Sequence, residues 1–226
     1  KAFRTQSICS AISEGRFMVV LTAVDSRGPS LIEHQSTQRY FDSKFSREAV
    51  KILPGEFFVT TRDMLLVTVL GSCVAACIRD PERGIGGMNH FMLPDGGTEA
   101  TSRSARYGGY AMELLVNELI KSGARRSALE AKVFGGGRVM ASLSSANVGE
   151  RNSSFVLDYL KQEGIPVIAQ DLQEQHARKI YFFPRVGRVL VKKLARVNND
   201  TLARREREYQ ERLARTDASG DIELFS

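Results

Sequence analysis

The sequence predicts a mixed α/β fold, more narrowly α+β: a single layered domain of mixed β-strands with two main helices. Three observations predict it. β-Branched and aliphatic runs of strand length cluster on both sides of the chain's middle. Two amphipathic segments closed by glycine lie between them. Hydrophobic residues make up 42% of the 226 residues and charged residues 26%, as in globular chains long enough to bury one sizeable core.

Residues 1–50 carry Ser, Thr, Gln and Arg with little periodicity and read as a poorly defined N-terminal extension. Pro54-Gly55 marks a turn, and residues 57–60 and 64–70 follow as strands. Residues 105–121 place apolar side chains at 107, 110, 111, 114, 115 and 119 and stop before Gly123, which predicts a helix with a glycine stop. Val133-Phe134 runs into Gly135-Gly136-Gly137. A second helix spans 150–163, closed by Gly164, and a strand covers 165–169. Residues 179–183 and 188–194 read as two further strands parted by Pro184 and Gly187. The expected domain is therefore 51–197. Beyond it, 201–215 is almost wholly polar with alternating charge signs, predicting a solvated helix, and 216–226 an acidic disordered tail.

Cysteines at 9, 73 and 77 are too few for a disulfide framework, and their odd number suits a reducing compartment, so the expected location is cytoplasmic. The longest uncharged apolar run, 17–24, is too short to span a bilayer. Lys1, Arg4 and Arg16 precede it, but Glu14 interrupts them and no small-residue cleavage site follows, so no secretion signal is expected. The net charge of +6 is concentrated: residues 185–215 hold ten Lys/Arg against four Asp/Glu. Glu206, Glu208 and Glu211 break that stretch and aromatics are sparse, which argues against nucleic acid as a partner.

The stretch LGSCVAACIRDP at 70–81, followed by GGMNH at 86–90, carries the chemistry. Asp80-Pro81-Glu82-Arg83-Gly84 is a turn signal between two β-like runs, so a hairpin is expected. Its midpoint between Pro81 and Glu82 sets Cys73 directly opposite His90, with Cβ atoms roughly 4.5–5.5 Å apart. An imidazole at that distance takes the thiol proton, leaving a thiolate nucleophile, and then serves as the acid for a leaving amine. Gly71-Ser72 lets the backbone turn sharply, so main-chain N–H groups could face the oxyanion of an attacked amide. Thr68, on the preceding strand, and Asn89 are the nearest polar groups able to orient the imidazole. Cys77 shares the face of Cys73 but lies opposite Gly86, with no base, and reads as packing.

The plainer alternatives have their own signatures. A lone cysteine in an apolar β-run is commonly structural. Zinc held by Cys73, Cys77 and His90 lacks a clear fourth ligand, so no metal or other cofactor is expected. Gly135-Gly136-Gly137-Arg138 lacks the Lys-Ser/Thr of a phosphate loop and reads as a tight turn or close backbone packing. His34 and His176 read as surface residues.

The chain resembles the chemoreceptor glutamine deamidases, the CheD family. The matching segments are LPGEFFVT at 53–60, LLVTVLGSCVAACIRDP at 65–81, GIGGMNHFMLP at 84–94, SARYGGYAMELLVNELIKSGA at 104–124, LEAKVFGGG at 129–137, NVGERN at 147–152 and the strands of 178–194. The resemblance implies a cytoplasmic cysteine hydrolase converting glutamine side chains on the cytoplasmic helices of methyl-accepting chemotaxis receptors to glutamate, with a CheC-type phosphatase as a further candidate partner and no membrane insertion. Cys73 matches the family nucleophile and His90 the family base. The family's third residue is a threonine on the strand before the cysteine. In a gap-free alignment Val67 takes that place, one residue before Thr68. A one-residue slip reverses the face of a strand, so Thr68 is expected to serve only through a bulge or twist near Gly71. A cysteine protease or transglutaminase, and a non-catalytic chemotaxis adaptor, are the competing readings.

Overall fold

The computed structural model describes residues 34–94, 100–139, 146–194 and 200–215. Two sheets and three helices build an α+β fold. The larger sheet is ordered β1 (His34–Gln35), β4 (Glu56–Thr60), β7 (Ile85–His90), β6 (Val74–Asp80), β8 (Glu130–Gly135), β9 (Val167–Leu172). The smaller is ordered β11 (Arg188–Lys193), β10 (Arg178–Phe183), β5 (Leu65–Leu70), β3 (Arg47–Lys51), β2 (Arg39–Asp42). Helices α1 (Ala100–Lys121) and α2 (Ala146–Gln162) follow the expected segments, and α3 (Asp200–Arg215) is the third. None of the described helices is long and apolar enough to cross a membrane.

Alternation along the strands sorts the side chains into three layers. Phe57, Val59, Val74, Ala76, Ile78, Ala131 and Val133 face Ala111, Met112, Leu115 and Leu119 of α1 and Val156 and Leu160 of α2. Their neighbours Phe58, Cys73, Ala75, Cys77, Met88 and Phe134 face Val50, Leu66, Leu70, Ile180 and Phe182 of the smaller sheet. The outer face of that sheet carries Leu65, Val67, Tyr181 and Phe183, capped by Phe45. The chain passes from the smaller sheet to the larger at Gly71-Ser72-Cys73, between β5 and β6.

Strands β2 and β3 lie in the segment expected to be undefined. Exposed Tyr40 and Phe41 and a core contribution limited to Ala49 and Val50 give that edge little alternation to read. The expected tail at 216–226 lies outside the described residues. Helix α3 forms where expected but is not solvated on all sides: Glu206, Tyr209 and Leu213 are buried.

The β6–β7 hairpin forms with a different register. Its closing pair is Asp80 with Ile85, so the loop holds Pro81 to Gly84 and its centre falls one residue later than expected. The cause is Asp80, whose Oδ1 accepts the N–H groups of Glu82 at 2.9 Å and Arg83 at 3.1 Å. Its Oδ2 accepts Arg125 N–H at 2.9 Å. The carboxylate thus holds the loop from its first residue. Cys77 consequently pairs with Met88, not Gly86.

Burial by itself would raise the Asp80 pKa. The three amides and the Arg125 guanidinium outweigh it and lower the pKa below the ordinary 3.8. An Asp80→Asn variant should lose about 1–3 kcal/mol of stability at neutral pH. Because the folded pKa is depressed, the wild-type advantage is complete above the ordinary carboxyl range and disappears as pH falls through the lowered value. Urea denaturation of both proteins from pH 7 to pH 2 checks this.

Candidate active site

The three residues linking the two sheets are held from one side by their carbonyls. Gly71 C=O accepts Gly137 N–H at 2.7 Å and Cys73 C=O accepts Gly136 N–H at 2.8 Å. Ser72 C=O accepts Asn152 Nδ2 at 2.8 Å, while Asn152 Oδ1 takes the N–H of Leu93 at 2.9 Å. Fully buried Arg178 fixes the glycine run from behind, donating to Gly135 C=O at 3.0 Å, Gln173 C=O at 2.5 Å and Asp171 Oδ1 at 2.9 Å. The run therefore acts as close backbone packing, as its sequence suggested.

With the carbonyls drawn one way, the N–H groups converge on the other. Gly71 N–H donates to Glu206 Oε1 at 2.9 Å, Ser72 N–H to Oε2 at 3.2 Å and Cys73 N–H to Oε1 at 3.4 Å. The Ser72 hydroxyl adds a bond to Oε2 at 2.7 Å. Three amides and a hydroxyl aimed at one carboxylate form the donor set that a developing oxyanion requires.

His90 sits on β7 where the ladder to β6 is interrupted. The regular register ends at Cys77–Met88 and resumes only as the Val74–Phe91 bridge. Between them Ala76 N–H donates to the side-chain Oδ1 of Asn89 at 3.0 Å, and His90 C=O accepts Gly55 N–H at 2.8 Å. Asn89 also donates to Ala111 C=O at 3.3 Å. It is a strut between strand and helix and does not orient the imidazole.

Thr68 does contact the imidazole. Its hydroxyl donates to Ile52 C=O at 2.7 Å and lies 2.8 Å from His90 Nδ1. A hydroxyl has one proton, so with that proton on Ile52 the Thr68 oxygen accepts from Nδ1–H. The neutral ring then carries its lone pair on Nε2, a buried atom with no hydrogen-bond partner among the described residues. No bulge is needed to aim Thr68. The β5–β10 register runs unbroken from Leu66 to Leu70, and Val67, the gap-free match, faces the outer cluster.

Cys73 and His90 share the face between the sheets but are not directly opposed. The register sets Cys73 two places along from the residue facing His90, a diagonal relation with Cα atoms roughly 7–8 Å apart. Their side chains make no hydrogen bond here, and the direct pairing expected from the turn midpoint is corrected accordingly. Burial pushes the Cys73 thiol pKa well up, and the charge and hydrogen bonding of the Glu206 carboxylate push it further. Buried Cys77 is raised by the same desolvation. His176 is partly exposed beside Glu174, 3.0 Å away. The His34 side chain lies outside the described residues.

Glu206, Asn152 and Arg178 are the site residues that sequence reasoning missed. A usable signal for Glu206 was present: Leu202, Glu206, Tyr209 and Leu213 recur at helical spacing, a stripe with a carboxylate inside an otherwise charged helix.

Desolvation lowers the His90 pKa to about 4 from an ordinary 6.5, against a smaller opposing effect of the Ile52 carbonyl. Between those values the unfolded chain binds the proton and the folded one does not. Stability is therefore full above pH 6.5 and declines as pH falls toward 4, by on the order of 3 kcal/mol in all. Nitrogen-15 NMR should find the Nδ1–H tautomer at pH 7, and a His90→Gln variant should lose less stability than the wild type over that window.

The sequence profile of the family described as "CheD chemotactic sensory transduction" matches residues 92–193. A protein of Dechloromonas aromatica (strain RCB) named "Probable chemoreceptor glutamine deamidase CheD 1" is 64% identical over 194 residues, 85% of this chain and 96% of the relative. Proteins named "Probable chemoreceptor glutamine deamidase CheD" from Janthinobacterium sp. (strain Marseille) and Herminiimonas arsenicoxydans are 61% and 60% identical, each over 86% of this chain and 97% of the relative. With such identity sustained along nearly the whole of each relative, this chain belongs to the CheD family.

Proposed function

We propose that this chain hydrolyses the side-chain amides of particular glutamines on chemoreceptors to glutamate and ammonia, with Cys73 as nucleophile, His90 as proton carrier and Thr68 as the group that orients it. The observation that carries this reading is the arrangement around Cys73. Three main-chain N–H groups and a hydroxyl converge on an anionic oxygen site, and a neutral imidazole on the same face carries a buried Nε2 with no hydrogen-bond partner among the described residues.

In the first half-reaction the Cys73 thiol gives its proton to His90 Nε2 and sulfur attacks the glutamine Cδ. The carbonyl oxygen gains negative charge among the N–H groups of 71–73, where such donors are together worth several kcal/mol. His90 returns the proton from Nε2 to nitrogen as the Cδ–N bond breaks, and ammonia leaves. In the second half-reaction neutral His90 takes a proton from water, the hydroxide oxygen bonds to Cδ, and the C–S bond breaks to restore the thiol. Thr68 keeps Nδ1 protonated throughout, so that Nε2 is always the working atom. Side-chain rotation across the diagonal brings sulfur and Nε2 together.

Each turnover leaves one carboxylate on the substrate helix, where it alters repulsion between like charges at helical spacing. The cytoplasmic helices of methyl-accepting receptors are the substrate that the family resemblance implies, which accords with a cytoplasmic enzyme, and a CheC-type phosphatase is the further partner it implies.

Mass spectrometry of a receptor cytoplasmic fragment, with ammonia assayed in parallel, tests the reading. The wild type should convert specific glutamines without cutting the chain. Cys73→Ala should convert none, and activity kept by that variant would refute the assignment. Thr68→Val should lower kcat by about tenfold to a hundredfold with KM little changed, and Thr68→Ser should restore most of it.

A further inference from the structure

The oxyanion site is occupied by the chain itself. Glu206 is 1% exposed, and among the described residues no Lys or Arg pairs with it. Its carboxylate is held by the N–H groups of 71–73, the Ser72 hydroxyl and the Cys73 thiol. A buried carboxylate held only by dipoles is costly unless the site is built for it. This site is built for the oxygens of a glutamine under attack, and the product of that attack is a glutamate side chain.

The rest of α3 is seated just as specifically. A Cβ on Gly71 would lie 2.6 Å from Glu206 Oε1, and a Cβ on Gly55 would lie 2.9 Å from the Tyr209 ring. Gly55 is also the residue whose N–H caps His90 C=O, so Tyr209 packs beside the catalytic strand. The Tyr209 hydroxyl bonds that of Tyr107 on α1. Leu213 joins the apolar cluster that contains Cys73, Phe58, Met88 and Met92. Arg204, Arg205, Glu208, Glu211 and Arg212 stay exposed on the other face of the helix.

We propose that α3 is a tethered product analogue occupying the seat of the substrate helix, so that the site takes a helix bearing glutamine with an aromatic residue three places and a leucine seven places further on. The inference rests on the deamidase reading and specifies its substrate. The cradle for the aromatic is Gly55 with Tyr107, and the cradle for the leucine is the cluster around Met92. Substrate and α3 exclude one another, and α3 must leave before a receptor helix enters. Its departure also removes the carboxylate that disfavours the Cys73 thiolate.

The chain can be made its own substrate. In Glu206→Gln the carboxamide would sit where the carboxylate does. Sulfur of Cys73 bonds the side-chain Cδ at position 206, ammonia leaves with a proton from His90, and water then replaces sulfur, restoring glutamate there. Intact and peptide mass spectrometry of the purified full chain should find glutamate at 206 in Glu206→Gln and retained glutamine in Glu206→Gln with Cys73→Ala. Glutamine persisting in the single variant, while the same preparation deamidates a receptor fragment, overturns the inference and leaves the deamidase reading intact. Failure on both substrates removes the deamidase reading and the inference together. As an independent readout, Glu206→Ala should raise kcat/KM on the receptor fragment by about tenfold or more, chiefly through KM, and an unchanged or lower value counts against displacement.

Discussion

The site depends on one constraint: the backbone of Gly71, Ser72 and Cys73 is polarised, with every carbonyl satisfied on one side and every N–H on the other. Gly136, Gly137 and Asn152 supply the donors for the carbonyls, and Arg178 holds the glycine run that carries two of them. The amides are then committed to whatever lies in front of them. Leaving a buried N–H unpaired costs about 1–3 kcal/mol, so the loop needs an occupant with oxygen lone pairs at all times. Glu206 meets that need in the structure, and on the proposed reading a substrate carbonyl and a transition-state oxyanion meet it in turn.

The fold places this loop where the chain crosses between its two sheets. Thr68 comes from β5, the central strand of the smaller sheet, on one side of the crossing, and His90 comes from the larger sheet on the other. The hydrogen bond between them therefore spans the interface of the two layers. Apolar side chains pack that interface and bury the ring, which is why the imidazole stays neutral well below its ordinary range. The same burial keeps the Cys73 thiol protonated. A site with both groups neutral is at rest, and on the proposed reading it turns over when a neutral amide replaces the Glu206 carboxylate.

Much of this was legible in the sequence because it follows from local pattern. Helices α1 and α2 declared themselves by apolar spacing and terminal glycines, and β4 to β7, β10 and β11 by β-rich runs between turn residues. The hairpin between Cys73 and His90 was visible, but its register was not. A turn midpoint counts residues, whereas Asp80 sets the loop by binding the amides after it, and the two differ by one residue. Thr68 looked misdirected because the alignment put Val67 in its place. Strand alternation, with β10 as the reference, points Thr68 inward. Glu206 was hidden for a different reason: 133 residues separate it from Cys73, and a mixed-charge helix looks solvated until three of its side chains are found buried. Strands β2 and β3 were missed because an exposed edge has little apolar alternation.

The most direct test of the account is a crystal structure of the Cys73→Ala variant with a helical peptide that carries glutamine followed by tyrosine three places and leucine seven places on. The account predicts the glutamine carbonyl oxygen within hydrogen-bond distance of the Ser72 and residue-73 amides, its Cδ over the position vacated by sulfur, and α3 displaced. A peptide bound elsewhere, with Glu206 still holding the amides of 71–73, would contradict it.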